Sequence, residues 1–372
     1  MKLIDNSEKT LISTTDLIDL AERALSPDEL NHLPTYPTNN KSYRKAKRLL
    51  ERWENLVCIQ KSDKKNFDLR LASLGLNRDS ALIGLQTRRR LQVKDLPDWA
   101  ITLGKILNQS IYPPDSSIQS LLDNIDIENQ ILFPEILHPF INYYICELKS
   151  IWSKSELYVK PKVLNQIAEN LLTRLSHICA RTIAYDVKQK SALGSLNGKT
   201  PQSRYQYYVN EILGTPEGLF GLLNRYPVLA RLLTTVTEQA ITNTNQWLKR
   251  LEFDYQAITS KFSSGEKPGL VEKVELGLSE PHCGGQTVWF MEFTSGLRLG
   301  YKPRSLRLDV AYLELLKWLN QAQPELTLKA APVLDCQDYG WVLWIETTEC
   351  QNIEEVAQYF QRLGAHLAVF YF

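Results

Sequence analysis

The chain changes its apolar period once, at Ser263-Ser264-Gly265, and that change governs what it can fold into. Before it, apolar residues recur at intervals of three and four. The clearest stretch runs from Val228 to Phe262. There Leu229, Leu232, Leu233, Val236 and Ala240, then Trp247, Leu248 and Leu251, make one apolar helical stripe. Ser26-Pro27-Asp28-Glu29 reads as a helix start: a capping hydroxyl, proline at the first helical position, and a glutamate that completes a capping box. Thr200-Pro201 and Thr215-Pro216 repeat the Thr-Pro start. Segments 33–41, 111–117 and 194–203, rich in Pro, Asn, Ser or Gly, read as loops.

After the break the pattern is that of strands. Thr287 to Phe293 is a β-branched and aromatic run, Ser295-Gly296 supplies a turn, and Leu297 to Tyr301 alternates. In that second strand Leu297, Leu299 and Tyr301 face one way, while Arg298, Gly300 and Lys302 face the other. A helix follows over about Leu306 to Gln321, with Val310, Leu313, Leu316 and Leu319 inward. Next come a strand near Leu326 to Leu334, a turn at Asp338 to Gly340, and a strand from Trp341 to Glu346. A last helix runs from Asn352, with Glu355 completing its capping box.

The fold class expected is therefore α+β and predominantly helical. Three regions are expected: an N-terminal helical region (1–110), a second helical region (111–265), and a small strand–strand–helix–strand–strand–helix lobe (266–372). Val356, Phe360, Leu363, Leu367 and Phe370 form an apolar face that is still in progress at Phe372, with no glycine, proline or basic last turn to end it. This lobe is expected to be cut in its last helix. Such a face, left uncovered, is sticky, so the isolated chain is expected to aggregate or to need a partner.

Composition narrows the classes of function. Among 372 residues, 43 basic and 42 acidic side chains leave a formal net charge of +1. That balance offers no electrostatic footprint for nucleic acid or a membrane surface. No apolar run approaches the roughly 20 residues that a membrane helix needs, and the start has no apolar core of a secretory signal. Cys58, Cys146, Cys179, Cys283, Cys336 and Cys350 are scattered, with no CxxC pair. They suggest neither a zinc cluster nor a disulfide framework, and a reducing cytoplasm is the expected location.

The chemistry concentrates in the small lobe. A lysine closing a strand (Lys302), then a helix carrying a glutamate (Glu314), then two strands, is the plan of a kinase small lobe. There the ammonium neutralises nucleotide phosphate and the helix carboxylate holds the ammonium. Upstream, Pro281-His282-Cys283-Gly284-Gly285-Gln286 falls where such a lobe places its phosphate-covering turn, and Gly284 and Gly285 would let backbone amides approach phosphate. The bland alternatives stay open at this level. Lys302 is then a solvated strand end, Glu314 a surface residue, His282 a loop or core histidine, and Arg304 a cap of the following helix.

The blocks Pro281-His282-Cys283-Gly284-Gly285-Gln286-Thr287-Val288 and Gly300-Tyr301-Lys302-Pro303-Arg304-Ser305-Leu306 resemble the dehydratase domain of class II lanthipeptide synthetases. In that family an Asp-Pro-His-x-x-Gly-Arg-x-Val stretch precedes a strand ending in Tyr-Lys-Pro-Arg. Tyr339-Gly340-Trp341-Val342, Gly198-Lys199-Thr200-Pro201, and Tyr226-Pro227-Val228-Leu229-Ala230-Arg231 agree in the same order, with weaker agreement around 45–53 and 70–72. The resemblance implies a helical region followed by a lipid-kinase-like small lobe. It implies an enzyme that phosphorylates Ser and Thr of a precursor peptide with ATP and Mg2+, then eliminates phosphate to leave dehydroamino acids. By that resemblance Lys302 would contact the ATP phosphates, and Glu280 and His282 would sit by the active centre; Glu314, on the order of elements alone, and Gly284, Gly285 and Arg304 are the further nucleotide-binding candidates.

Departures accompany the resemblance. Glu280 stands in place of aspartate, Gln286 in place of arginine, and Leu343 in place of glutamate. The family's catalytic loop, magnesium ligands and zinc cyclase have no counterpart in these residues, so the chain alone is expected not to catalyse. A second polypeptide carrying the missing half would complete it. The alternatives are a non-catalytic module that binds precursor peptide or synthetase, and an unrelated helical scaffold.

Overall fold

The computed structural model describes residues 12–26, 28–29, 40–57, 64–86, 91–109, 132–155, 158–323 and 328–371. Helices dominate up to residue 262: α1 (Thr14–Arg23), α2 (Asn40–Val57), α3 (Lys64–Ser73), α4 (Arg78–Gln86), α5 (Asp98–Gln109), α6 (Pro134–Ser155), α7 (Lys162–Ala192), α8 (Pro201–Tyr207), α9 (Pro216–Arg225) and α10 (Pro227–Phe262). Then come β1 (Val271–Glu275), β2 (Trp289–Phe293), β3 (Arg298–Lys302), α11 (Arg307–Ala322), β4 (Val333–Asp335), β5 (Gly340–Leu343) and α12 (Ile353–Tyr371). The chain is α+β and mostly helical, as its patterning indicates. Two compact units divide it: Met1–Pro114, Leu132–Phe140 and His177–Thr235 form one, and Asp115–Ile131, Ile141–Ser176 and Val236–Phe372 the other.

In the first unit, the expected starts hold. Thr200 and Thr215 accept backbone N–H bonds from Ser203 and Gly218, and proline occupies the first turn of both α8 and α9. Ser26 donates its N–H and hydroxyl to Glu29 at 2.7 Å each; Pro27 lies outside the described residues, as do most of 33–41 and all of 111–117. Leu50, Phe67, Leu71, Leu76 and Ala81 make a local core beneath α2, α3 and α4. Asp186, almost wholly buried, accepts from Tyr208 (2.8 Å), Arg225 (2.6 Å) and Tyr226 (2.9 Å). Three donors replace the water that burial removes, which is what a buried carboxylate requires.

The second unit contains the sheet, in the order β1-β2-β3-β5-β4 with every pair antiparallel. The expected hairpin is β2–β3, in the register Trp289↔Tyr301 and Met291↔Leu299. Trp289, Met291, Leu299, Tyr301 and, through Tyr301↔Trp341, the indole of β5 share one buried face. Trp247 of α10 meets it, ring centroids 5.0 Å from those of Trp289. The stripe predicted on α10 is buried at Leu229, Leu233, Ala240, Trp247, Leu248 and Leu251, while Leu232 is exposed and Val236 half-buried.

Strand β1 escaped the sequence reading. Its register shifts between Val271 and Lys273. That irregularity breaks the two-residue period and lets Val271 and Val274 both turn inward. Val271 also exchanges backbone hydrogen bonds with Tyr158 and Lys160, and Gln166 accepts from the Val274 N–H at 2.9 Å. An edge that would otherwise invite another strand is thereby occupied.

Two expectations need correction. The strand near 326–334 is only Val333–Asp335, because Pro332 has no N–H for the ladder; 324–327 lie outside the described residues. On α11 only Leu316 of the four expected inward residues is fully buried, and Leu308, Leu315 and Trp318 are exposed. On α12 Glu355 caps as expected, its N–H donating to Asn352 Oδ1 at 2.9 Å. Its Phe360, Leu363 and Leu367 are exposed; the side chain of Phe370 is outside the described set.

Candidate functional site

Lys302 ends β3 opposite Gly340. The turn after it is built around Leu306, which is fully buried. Asp335 accepts the Leu306 N–H at 2.7 Å. At Gly340 a side chain is impossible without movement: an added Cβ would lie 2.5 Å from both Leu306 Cδ1 and the Leu334 carbonyl oxygen. The Tyr-Lys-Pro-Arg-Ser-Leu and Tyr-Gly-Trp-Val blocks are thus two sides of one packing arrangement, and it fixes where the lysine leaves the sheet.

The ammonium of Lys302 is 3.3 Å from Asp309 Oδ1, and Arg304 Nη1 is 3.1 Å from Asp309 Oδ2. Arg304 also donates to the Ser305 carbonyl at 2.9 Å. Two cations converge on one half-buried carboxylate in the first turn of α11. Glu314, expected to hold the lysine, is exposed, and no ion pair joins it to Lys302 among the described residues. The difference follows from reach: Asp309 lies in the first helical turn beside the end of the strand, whereas Glu314 is more than a turn further along.

Behind the lysine, Tyr301 is held by the Arg250 guanidinium on its hydroxyl. Arg250 also stacks 4.0 Å from the centroid of Tyr339. Burial raises the Tyr301 phenol, and the nearby guanidinium opposes that shift. The neighbouring Asp254, itself buried, accepts from Trp341 Nε1 at 2.8 Å and from Cys336 Sγ at 3.5 Å.

The loop after β1 runs differently from a free phosphate flap. His282 and Gln286 exchange backbone hydrogen bonds at 2.9 and 2.8 Å, closing a tight turn. Gly284 and Gly285 have φ of +81° and +80°, conformations that glycine adopts without strain. The turn is tied to α10: Asn243 Nδ2 donates to the Gly284 carbonyl at 3.1 Å, and Gln286 Nε2 donates to Gln246 Oε1 at 3.1 Å. Glu280 and His282 are exposed, and no hydrogen bond or ion pair connects either side chain to Lys302 among the described residues. Gln286, Thr287, Tyr301 and Pro303 nevertheless line one small recess with Asn243 and Gln246, so the two blocks adjoin.

Sequence reasoning missed Asp309 and Asp335. Both are ordinary acids by pattern, one in a first helical turn and one at a strand end, and only folding brings them to the Lys302 turn. Among the described residues no group of three or more His, Cys, Asp or Glu side chains is placed to hold a metal ion. No helix among them is long and apolar enough to cross a membrane.

Residues 226–372 match a family described as a domain of unknown function, DUF4135. The chain is also similar to the lacticin 481/lactococcin biosynthesis protein LcnDR2 of Lactococcus lactis subsp. lactis, with 22% identity over 213 residues. That match covers 55% of this chain and 23% of the relative, so the chain spans about a quarter of the relative's length. The matched residues of this chain include Lys302, the turn after it and the glycine loop. Residues 226–372 thus carry a DUF4135 domain, and the chain is similar to class II lanthipeptide synthetases.

Proposed function

We propose that this chain provides the nucleotide-side part of a precursor-peptide dehydratase, a cytoplasmic activity that phosphorylates Ser and Thr with ATP and then eliminates phosphate. The observation that carries this reading is the rigidly mounted cationic turn at the end of β3. There Lys302 and Arg304 share the single carboxylate of Asp309. Two cationic side chains held on one carboxylate suit phosphate oxygens, and the carboxylate keeps the ammonium oriented while no nucleotide is bound. In this reading Lys302 and Arg304 contact phosphate, and Gly284 and Gly285 bring backbone close to it. Glu280 and His282 lie on the peptide side. Among the described residues no cluster of three acidic, His or Cys side chains is placed for a metal, so a magnesium ion would draw its remaining ligands from the nucleotide or the rest of a synthetase; the chain's own contribution is to bind and orient the nucleotide.

The remaining catalytic groups and the cyclase would come from the rest of a synthetase, in the same or a second polypeptide. The exposed apolar residues Phe360, Leu363 and Leu367 on α12 favour such a partner surface. The same exposure favours a second reading, in which the chain binds precursor peptide or synthetase without catalysing.

The test is mass spectrometry of a Ser/Thr-rich precursor peptide incubated with this chain, ATP and Mg2+, with and without a polypeptide supplying the rest of a synthetase. Dehydration that requires this chain and is abolished by Lys302→Ala supports the dehydratase reading. Peptide binding without phosphorylation in either mixture supports the binding module. Full activity of the Lys302→Ala protein would overturn the assignment of the lysine.

A further inference from the structure

The second unit contains a cavity of about 350 Å³ between α7, α10 and the glycine loop. Its volume is in the range that takes a small ligand or one side chain of a larger one. Ile167, Leu171, Ala240, Pro281 and Trp289 supply apolar wall, and Asn170, Asn243 and Arg174 supply polar groups. No Asp or Glu lines it.

Arg174 sets the chemistry. Its guanidinium is half-buried, and no carboxylate pairs with it among the described residues. Burial pushes its pKa below the ordinary arginine range, and only the Tyr144 phenol, when ionised, would oppose that shift. A neighbouring anion would reverse this. Its position is defined on one side by the loop: a Cβ built on Gly285 would lie 3.5 Å from Arg174 Nη2 and 2.7 Å from Gln239 Oε1. The nearby hydroxyls are already engaged, Tyr144 with Thr244 at 2.8 Å and Ser279 with the Val288 N–H at 3.0 Å. The guanidinium therefore offers up to five donors into a space whose own walls contain no anion to accept them.

A buried charge is costly unless it is paired and hydrogen-bonded. The structure holds this half-buried one in the wall of a cavity with no carboxylate partner among the described residues, a preformed arrangement for a charge that arrives from outside. We propose that this cavity is an oxyanion-binding site, in which Arg174 receives a carboxylate or phosphate whose apolar body lies against Trp289, Leu171 and Ile167. An acidic peptide side chain and a phosphate ester share that chemistry, since both present two or more oxygens to the guanidinium fork. The cavity adjoins the recess beside the lysine turn, sharing Asn243, Thr287 and Trp289 with it, but its test rests on Arg174 and uses no dehydratase activity.

Calorimetric titration of the full chain with three ligands of one shape tests it: benzoate, phenyl phosphate and neutral benzamide. Saturable binding of at least one anion, weakened by salt and absent for benzamide, is expected. Arg174→Gln should lower that affinity about tenfold or more while leaving the circular dichroism spectrum and Tm close to those of the unaltered chain. Benzoate preference identifies a carboxylate ligand, and phenyl phosphate preference a phosphoryl one. No anion binding, equal binding of benzamide, or full affinity in a folded Arg174→Gln chain would overturn the proposal. Should that variant fail to fold, the salt dependence and the benzamide comparison on the unaltered chain still decide.

Discussion

Asp254 of α10 accepts the indole N–H of Trp341 of β5 at 2.8 Å, and this bond joins the Arg250–Tyr301 contact in tying the helix to the sheet from which Lys302 projects. Both side chains are buried, so neither end of the bond has water in reserve. Replacing Trp341 by Phe removes the donor and leaves the carboxylate short of a partner. A loss of about 1–3 kcal/mol is expected from a buried polar group left unsatisfied. Urea unfolding of the Trp341→Phe chain measures it, and an unchanged midpoint would show that the bond contributes nothing.

Gly340 is present for space. An added methyl would meet Leu306 Cδ1 and the Leu334 carbonyl oxygen at 2.5 Å each, and the second of these is backbone that cannot rotate away. Gly340→Ala is expected to cost about 1–3 kcal/mol, as overpacking does, and to displace the turn that carries Lys302. Thermal unfolding reads the first effect. If Lys302 serves nucleotide, equilibrium dialysis with ATP reads the second.

Glu29 predicts an acid-sensitive contact. Burial raises its pKa, but the hydrogen bonds from Arg231 and from Ser26 outweigh that and hold the carboxyl down at about 2, from an ordinary 4.5. The folded pKa lies below the unfolded one. The contact's stabilisation is therefore fully present above pH 4.5 and is lost as pH falls towards about 2. Urea midpoints of the unaltered chain and of Glu29→Gln should differ at pH 6 and converge near pH 2. A difference independent of pH would contradict this.

The thiols should divide by environment. Cys146, Cys283 and Cys350 are exposed, whereas burial pushes the thiols of Cys179 and Cys336 up to about 12, with the Asp254 charge adding to the effect at Cys336. At pH 8 very little of either raised thiol is thiolate, and the thiolate is the reactive form. Iodoacetamide labelling of the folded chain, read by peptide mass spectrometry, should modify the exposed three well before Cys179 and Cys336. Early labelling of Cys336 would show that its pocket opens.

What the sequence determined by itself is whatever depends on near neighbours. The Thr200 and Thr215 caps, the apolar stripe of α10, the β2–β3 hairpin and the Asn352–Glu355 cap are set by residues a few positions apart, and each folds where its pattern points. Lys302 and the glycine loop were legible for the same reason, because a strand end and a positive-φ turn carry local signatures.

Tertiary structure decided the rest. Strand β1 was hidden because its bulge spoils the alternation and because its outer edge is held by Gln166, 108 residues away. The lysine's partner became Asp309 rather than Glu314 because the Gly340–Leu306 contact sets the approach of α11. Arg174 carries no local signature in the sequence, and only the packing of α7, α10 and the Gly285 loop places it in a cavity wall. The physical reason is common to all three. A local pattern records which face of an element is apolar, but the partner of a buried charge or an unpaired strand edge is chosen by whatever the fold brings within hydrogen-bond reach.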